Sequence, residues 1–340
     1  MGDLQRAWRI KEQEFYRQKT LREKISFLLR YAILAPSTHN SQPWRFKING
    51  NSCEFFIDRS AVLPQADPLR RDMYISIGCC LENFIIAARY FGLFKDVAYR
   101  GEGGDRVAEV FLHPDSQEKD SSAGDLLLAI TKRRNSRGIF LDQKIPTGFL
   151  EMLSGIRYDE YTCPLFVSDE AQKGRLADFT KDALKTAYKN KDFRNEMSHW
   201  VRPNLFSGRD GIPGYALRLP LMASFLFPFL VRFKDIGNRL GELNARSIRS
   251  APVACVIGTK ENTPHSWLIT GRLAERFMLE CTAKGMVTSI FVAAIEIGGF
   301  TNNIRELIGT DFSPQFLFCM GYMANPSRPT PRYSVEQKCI

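Results

Sequence analysis

The sequence predicts an α+β fold whose scaffold is built twice within one chain. Amphipathic helices alternate with short strand-like runs, and the strands carry hairpin signals. A helix in the first third also returns near residue 267. Placing Tyr74 over Trp267 sets Gly78 over Gly271, Glu82 over Glu275, Phe84 over Phe277 and Gly92 over Gly285. Both helices therefore carry a glycine near the start and another at the C-cap, and comparable β-rich sequence follows each.

Residues 1–19 are charged and helix-prone, an N-terminal helical extension without the apolar core of a signal peptide. Thr20 to Leu34 places Leu21, Ile25, Leu28, Leu29 and Ala32 at three- and four-residue steps, a helix that ends before Pro36. Trp44 to Ile48 and Cys53 to Ile57 read as a hairpin, because Asn49-Gly50-Asn51 supplies the positive backbone angles of a tight turn. Asp72 to Phe91 is a strong helix closed by Gly92, and Val97 to Tyr99 and Val107 to Leu112 are strands. Residues 113–124 are polar and aperiodic and read as a linker. This makes 20–124 a first half and 125–340 a second.

In the second half, helices are expected over Leu126–Lys132, Phe149–Ile156, Glu170–Lys189 and Trp267–Lys284, with strands at Leu165–Ser168, Pro252–Gly258 and Gln315–Tyr322. From Asp192 to Arg246 the pattern breaks into Gly, Pro and aromatic residues, so about 192–246 is expected to be a lid-like insertion. Its run from Leu219 to Phe233 is too short and too interrupted by Pro220, Pro228 and Arg232 to span a membrane. It reads as a buried or lid segment, with an interfacial membrane contact as the minor alternative.

Net charge is +10, spread along the chain without a dominant block. Such charge favours phosphate-bearing ligands or anionic surfaces. Zinc-finger spacing, RNP-type aromatics and basic heptads are absent, which argues against nucleic acid. Eight cysteines occur without a C-x-x-C pair, mostly in apolar runs where Cys acts as a small hydrophobe. With no signal peptide, a reducing, cytoplasmic setting is expected.

Three stretches could carry chemistry. Ala35 to Phe46, A-P-S-T-H-N-S-Q-P-W-R-F, offers short donors and acceptors with little bulk, suited to a planar polar ligand, although an ordinary turn has the same composition. Lys132-Arg133-Arg134-Asn135-Ser136-Arg137 presents guanidinium forks that match phosphate oxygens, or else a solvated face. Pro326 to Arg332 is a proline-stiffened tail carrying Arg328 and Arg332. The sequence lacks G-x-S-x-G, a Walker loop and G-x-G-x-x-G after a strand, and its four histidines show no metal spacing. No residue is nominated as catalytic and no metal is expected. Chemistry would come from a bound organic cofactor.

The 35–46 loop resembles the signature loop of the FMN-dependent nitroreductase superfamily. Arg133–Arg137 followed by Phe140 resembles the arginine-rich start of that fold, and Pro331-Arg332 its closing phosphate contact. The order of these pieces, with Arg71–Gly78 and Asp210–Tyr215, is most similar to the internally duplicated Acg-like group. The resemblance covers roughly residues 20 to 335. It implies a nitroreductase-like three-layer α/β/α sandwich, duplicated so that one chain mimics the family homodimer; the protein would be a monomer or a weak homodimer.

The resemblance further implies FMN as cofactor and NADH or NADPH as co-substrate, with a nitroaromatic, quinone or related small molecule as electron acceptor. By position, Arg133, Arg134, Asn135, Arg137 and Arg332 would surround the phosphate and ribityl chain. Pro36, Ser37, Thr38 and Asn40 would contact the ring. Ala293-Ala294-Ile295-Glu296 falls where the family approaches flavin N5 by a backbone amide, which marks Ala294 and Glu296, although the usual Pro and Gly are missing. No arginine cluster precedes Thr20 and no Ala-Pro-Ser follows Phe149–Leu153, so one FMN per chain is expected. The alternatives are a catalytically silent FMN-binding protein whose lid covers the flavin, and a basic interaction protein without cofactor.

Overall fold

Why the first helix starts and stops where it does is local. Thr20 Oγ1 accepts from Glu23 N, and the Glu23 carboxylate accepts from Thr20 N, so α1 (Leu21–Ala32) opens on a capping box. β1 (Trp44–Asn49) and β2 (Ser52–Ile57) form the hairpin, turning through Gly50 at φ 56°. Then come α2 (Arg71–Tyr90), β3 (Phe94–Tyr99), β4 (Arg106–Leu112), α3 (Gly124–Lys132), α4 (Phe149–Ser154), β5 (Thr162–Val167) and α5 (Glu170–Lys189). α6 (Lys191–Trp200), a two-residue pair β6 (Val201–Arg202) and β7 (Ile212–Pro213), α7 (Leu221–Phe233) and α8 (Gly237–Ser250) follow. The chain closes with β8 (Val253–Thr259), α9 (Pro264–Ala283), β9 (Val287–Ile290), α10 (Ala293–Glu296), α11 (Phe300–Ile308), β10 (Ser313–Gly321) and α12 (Val335–Lys338). This computed structural model describes residues 5–100, 104–115, 118–297 and 299–340.

Two four-stranded antiparallel sheets carry the fold. The first has the order β1-β2-β4-β3 and the second β5-β8-β10-β9. Each is thus arranged first, second, fourth, third, and each sends a twenty-residue helix, α2 or α9, from its second strand to its third. The duplication lies in the topology as well as in the helix sequences.

The two helices pack in parallel and in the register that the repeat predicts. Tyr74 meets Trp267 at a ring separation of 5.8 Å, and Gly78 meets Gly271. A Cβ on Gly78 would run into Leu268 O, and one on Gly271 into Ile75 O, so only hydrogen fits where the backbones touch. Beyond the crossing, Arg272 Nε donates to Glu82 Oε2 at 2.9 Å inside the core, a buried charge matched by its partner. A single apolar core joins these helices to the inner faces of both sheets, through Phe46 and Phe55 on one side and Cys255 and Phe318 on the other.

The outer layers differ. Where β1 and β2 are joined by a two-residue turn, β5 and β8 are joined by residues 168–252, and α10 and α11 stand between β9 and β10. α5, α8, α10 and α11 cover the far face of the second sheet around Ala254, Val256 and Leu317, completing a three-layer sandwich. The outer face of the first sheet instead carries ion pairs, Arg106 with Glu54 and Arg100 with Glu109.

Several expectations are corrected. The 1–19 extension forms two 3-10 turns, Arg6–Trp8 and Glu12–Arg17, and it is built into the core: Phe15 stacks on Phe91 at 4.0 Å (residues 1–4 lie outside the described set). The last part of 192–246 is the start of α8, which packs along α5 in the outer layer and is no lid. The Leu219–Phe233 run is a helix that buries only Ser224 and Val231, so the buried reading fails for most of it. β9, α10 and α11 were not anticipated. Among the described residues no helix is long and apolar enough to cross a membrane.

Candidate functional site

The loop after α1 is fixed by a dense set of bonds in a conformation few sequences tolerate. Pro36 stops the helix, and a 3-10 turn covers Thr38–Asn40. His39, Asn40 and Gln42 all take positive φ, at 54°, 57° and 53°. Asn adopts that region readily, whereas His and Gln do so at a cost that the surroundings must offset. Ser37 Oγ accepts from Gln42 N at 2.9 Å; the Gln42 amide donates to Arg209 O at 2.7 Å and accepts from Tyr333 N at 2.9 Å. Lys338 Nζ bridges Gln42 O and Asp58 Oδ2. A strained loop pinned from four directions is a preorganised one.

The arginines meet this loop. Arg332 is buried and donates to Asn40 Oδ1 at 2.7 Å and to Leu34 O and Ala35 O at 3.2 and 3.0 Å. Arg133, also buried, reaches Leu34 O at 3.1 Å and pairs with Glu275 at 3.1 Å. Arg134 lies over the Trp8 ring at 4.3 Å and Arg332 over the same ring at 4.9 Å. Burial pushes the Arg332 guanidinium down to about 9, helped by Arg133 and Arg134 beside it, and burial followed by Arg133 brings Arg134 to about 10. Glu275, the carboxylate that meets them, is itself pushed up to about 7 by burial against the pull of Arg133. Positive charge is in excess here, and Arg332 Nε has no hydrogen-bond partner among the described residues.

The other expected residues are more dispersed. Asn135 Oδ1 accepts from Ile290 N at 3.1 Å, tying the arginine segment to the end of β9. Arg137 is half-buried, donates to Asn244 Oδ1 at 3.2 Å, and its charge bears on His39. Pro36 and Ser37 flank the strained turn. Ala294 turns its methyl into the core between the second sheet and its outer helices, so only its backbone could serve a ligand. Thr38 donates to Asp72 Oδ2 at 2.8 Å, and Arg71 lies 3.2 Å from Asp72 Oδ1 and 3.8 Å from Glu296 Oε1. Burial and the Asp72 charge push the Glu296 carboxyl well up. Against the effect of burial, the hydrogen bond from Glu296 together with Arg71 and Thr38 holds Asp72 down.

The segment after α5 leans on both sides of this arrangement. Met197 of α6 sits against His39 Nε2, Tyr215 donates to Pro329 O at 2.9 Å, and Arg218 donates to Arg137 O at 2.6 Å and Asn325 O at 2.9 Å. Glu196 accepts from Gln65 N and Ala66 N, each at 2.9 Å. Burial first, then Arg137, lowers the His39 imidazole to about 4, with Asp72 pulling the other way. Trp8, Met197 and Asp72 as a partner of Glu296 were missed by sequence reasoning. No local pattern marks the first two, and the Arg71–Gly78 segment flagged the neighbourhood of the third without its role.

No family model matches the chain. Among curated proteins of Mycobacterium tuberculosis (strain ATCC 25618 / H37Rv), "Putative NAD(P)H nitroreductase acg" is 24% identical over 324 residues, covering 92% of this chain and 94% of that protein. "Putative NAD(P)H nitroreductase Rv3131" is 23% identical over 320 residues, covering 93% and 90%. "Uncharacterized protein Rv3127" is 26% identical over 329 residues, covering 91% and 92%. Solved structures overlap less: the FMN-dependent nitroreductase NfnB from Mycobacterium smegmatis in complex with NADPH has 21% identity and a TM-score of 0.41, over 64% of this chain and 97% of that one. Oxidised iodotyrosine deiodinase bound to FMN and 3-iodo-L-tyrosine has 18% identity and a TM-score of 0.37, over 62% and 94%. Along more than nine-tenths of its length the chain is therefore similar to proteins named as putative NAD(P)H nitroreductases.

Proposed function

We propose that this protein binds one FMN per chain and acts as a nitroreductase-type oxidoreductase, passing hydride from NADH or NADPH to a nitroaromatic, quinone or related small-molecule acceptor. The names of its relatives support the reaction class. The observation that carries the site is the meeting of the 35–42 loop with Arg133 and Arg332 at Leu34 O, under an excess of positive charge. A phosphate answers that charge, and the unpartnered Arg332 Nε is a donor for it.

Bound FMN would supply the two-electron chemistry. The chain's own residues divide the remaining work. Arg133, Arg134 and Arg332 hold the phosphate end, with Asn135 and Arg137 along the ribityl chain. Pro36, Ser37, Thr38 and Asn40, fixed by the loop's bonds, would orient the ring, and the backbone at Ala294 would serve it; the Glu296 amide already donates to Val292 O. The cations also favour the anionic reduced state of the bound group over the neutral one.

A second reading is favoured by two contacts of the 192–236 segment, Met197 against His39 and Arg218 on Arg137 O. A lid that stayed shut would keep nicotinamide from stacking and leave a silent flavoprotein. One preparation decides. Protein loaded with FMN and desalted is expected to stay yellow at one flavin per chain, and to bleach anaerobically on addition of NADH or NADPH. Arg134→Ala is expected to weaken FMN binding about tenfold or more with a small loss of stability, because among the described residues Arg134 donates to nearby Thr131 O and Arg133 O and otherwise lies over the Trp8 ring. A colourless protein that takes up no FMN sinks the proposal; a yellow one that neither cofactor bleaches selects the silent reading.

A further inference from the structure

α7 exposes what a helix of a soluble fold normally buries. Leu221, Met222, Phe225, Leu226, Phe229 and Phe233 share an arc spanning less than half the helix, and Met222, Leu226 and Phe229 are 76%, 71% and 67% exposed. The opposite arc, with Ser224 and Val231, is fastened to the fold: Ser224 Oγ accepts from Asn204 N at 3.0 Å, and Val231 joins a small core with Tyr188, Met197 and Val201. The apolar face is therefore held outward by the helix's own packing. Leu205 and Phe206, on the turn bonded to the start of α7, are exposed as well.

The charge along this segment is mostly positive. Between Leu219 and Gly241 stand Arg232, Lys234 and Arg239, all exposed, against the single carboxylate of Asp235, whose Oδ1 already accepts from Gly237 N. Arg232 lies beside the Phe233 ring at 5.5 Å, so a cation borders the apolar arc itself. A second copy docked face to face would bring these cations against their own images without carboxylates to pair them. An anionic bilayer presents the complement, acyl chains for the rings and headgroup phosphates and carboxylates for the cations. α7 is thirteen residues long and cannot cross a bilayer, but it can lie in the interface.

We infer that α7 is an in-plane membrane-docking helix that seats this protein on anionic lipid surfaces. The inference stands apart from the flavin reading, since the docking face is on the far side of α7 from its packing partners and needs no cofactor. The test uses the full chain with sedimenting vesicles of phosphatidylcholine, with and without about one-third phosphatidylserine. Wild-type protein is expected to pellet with the phosphatidylserine vesicles, and at least about tenfold less with phosphatidylcholine alone. Leu226→Glu/Phe229→Glu, on exposed side chains, is expected to lose the binding about tenfold or more at an unchanged unfolding midpoint. Arg232→Glu/Lys234→Glu tests the charge independently should the first variant fold poorly. Wild-type protein that ignores phosphatidylserine vesicles, binds both compositions equally, or binds undiminished in the variants overturns the inference. So does a wild-type dimer in light scattering that Leu226→Glu/Phe229→Glu dissolves, which would assign the face to a second copy.

Discussion

His39 shows how one side chain couples the strained loop to the segment above it. Its pKa in the fold is about 4 against an ordinary 6.5, so folding selects the neutral ring. A depressed value means the full contribution is present above pH 6.5 and is lost as pH falls through 4. Wild-type stability is expected to fall across this window by up to about 3 kcal/mol more than that of His39→Gln, measured by urea unfolding at both ends. Arg332→Met is expected to cost about 3 kcal/mol at neutral pH, because Leu34 O, Ala35 O and Asn40 Oδ1 lose a buried donor. At this scale, motifs that are contiguous in the chain were legible. Asn40 and the Arg133–Arg137 run announce themselves by residue type, and the structure brings Asn40 and Arg133 to the same loop. Trp8 under two guanidinium groups, or Glu296 meeting Asp72 and Arg71, could not be read. These depend on residues hundreds of positions apart meeting in the fold.

The central pair of elements is the least forgiving part of the molecule. Gly271→Ala would drive a methyl into the Ile75 carbonyl, and neither helix can retreat without opening the shared core. The expected cost is about 3 kcal/mol or more, seen as a large drop in the thermal midpoint; a midpoint unchanged by this substitution would show that the helices are not in contact there. Glutamates on the exposed face of α7 should leave the stability within about 0.5 kcal/mol, because Leu226 and Phe229 are largely exposed. α2 and α9 were legible because twenty residues of helical period and two matched glycines form a strong local signal. β9 was not: its four residues, Val287–Ile290, are too few for alternation to show, and it exists because β10 offers an edge to pair with. α7 was misjudged for a different reason. Composition told how apolar it is, while its exposure is decided by where residues 168–252 leave the sheet.

At the scale of the whole molecule, one core crosses from the first sheet through α2 and α9 to the second. Calorimetry is therefore expected to show one main unfolding transition, and two well-separated ones would mean that the sheets fold independently. The 35–42 loop lies in the first half of the chain and Arg133 and Arg332 in the second, and the proposed flavin site needs both. Joining them in one polypeptide changes how the protein responds to dilution. A site shared between subunits empties as protein concentration drops below the dimer's dissociation constant, whereas here the partner stretch arrives at a fixed effective concentration set by the chain. Flavin retention per chain is expected to stay level from micromolar to nanomolar protein. Retention that falls with dilution would show instead that the site depends on a second chain.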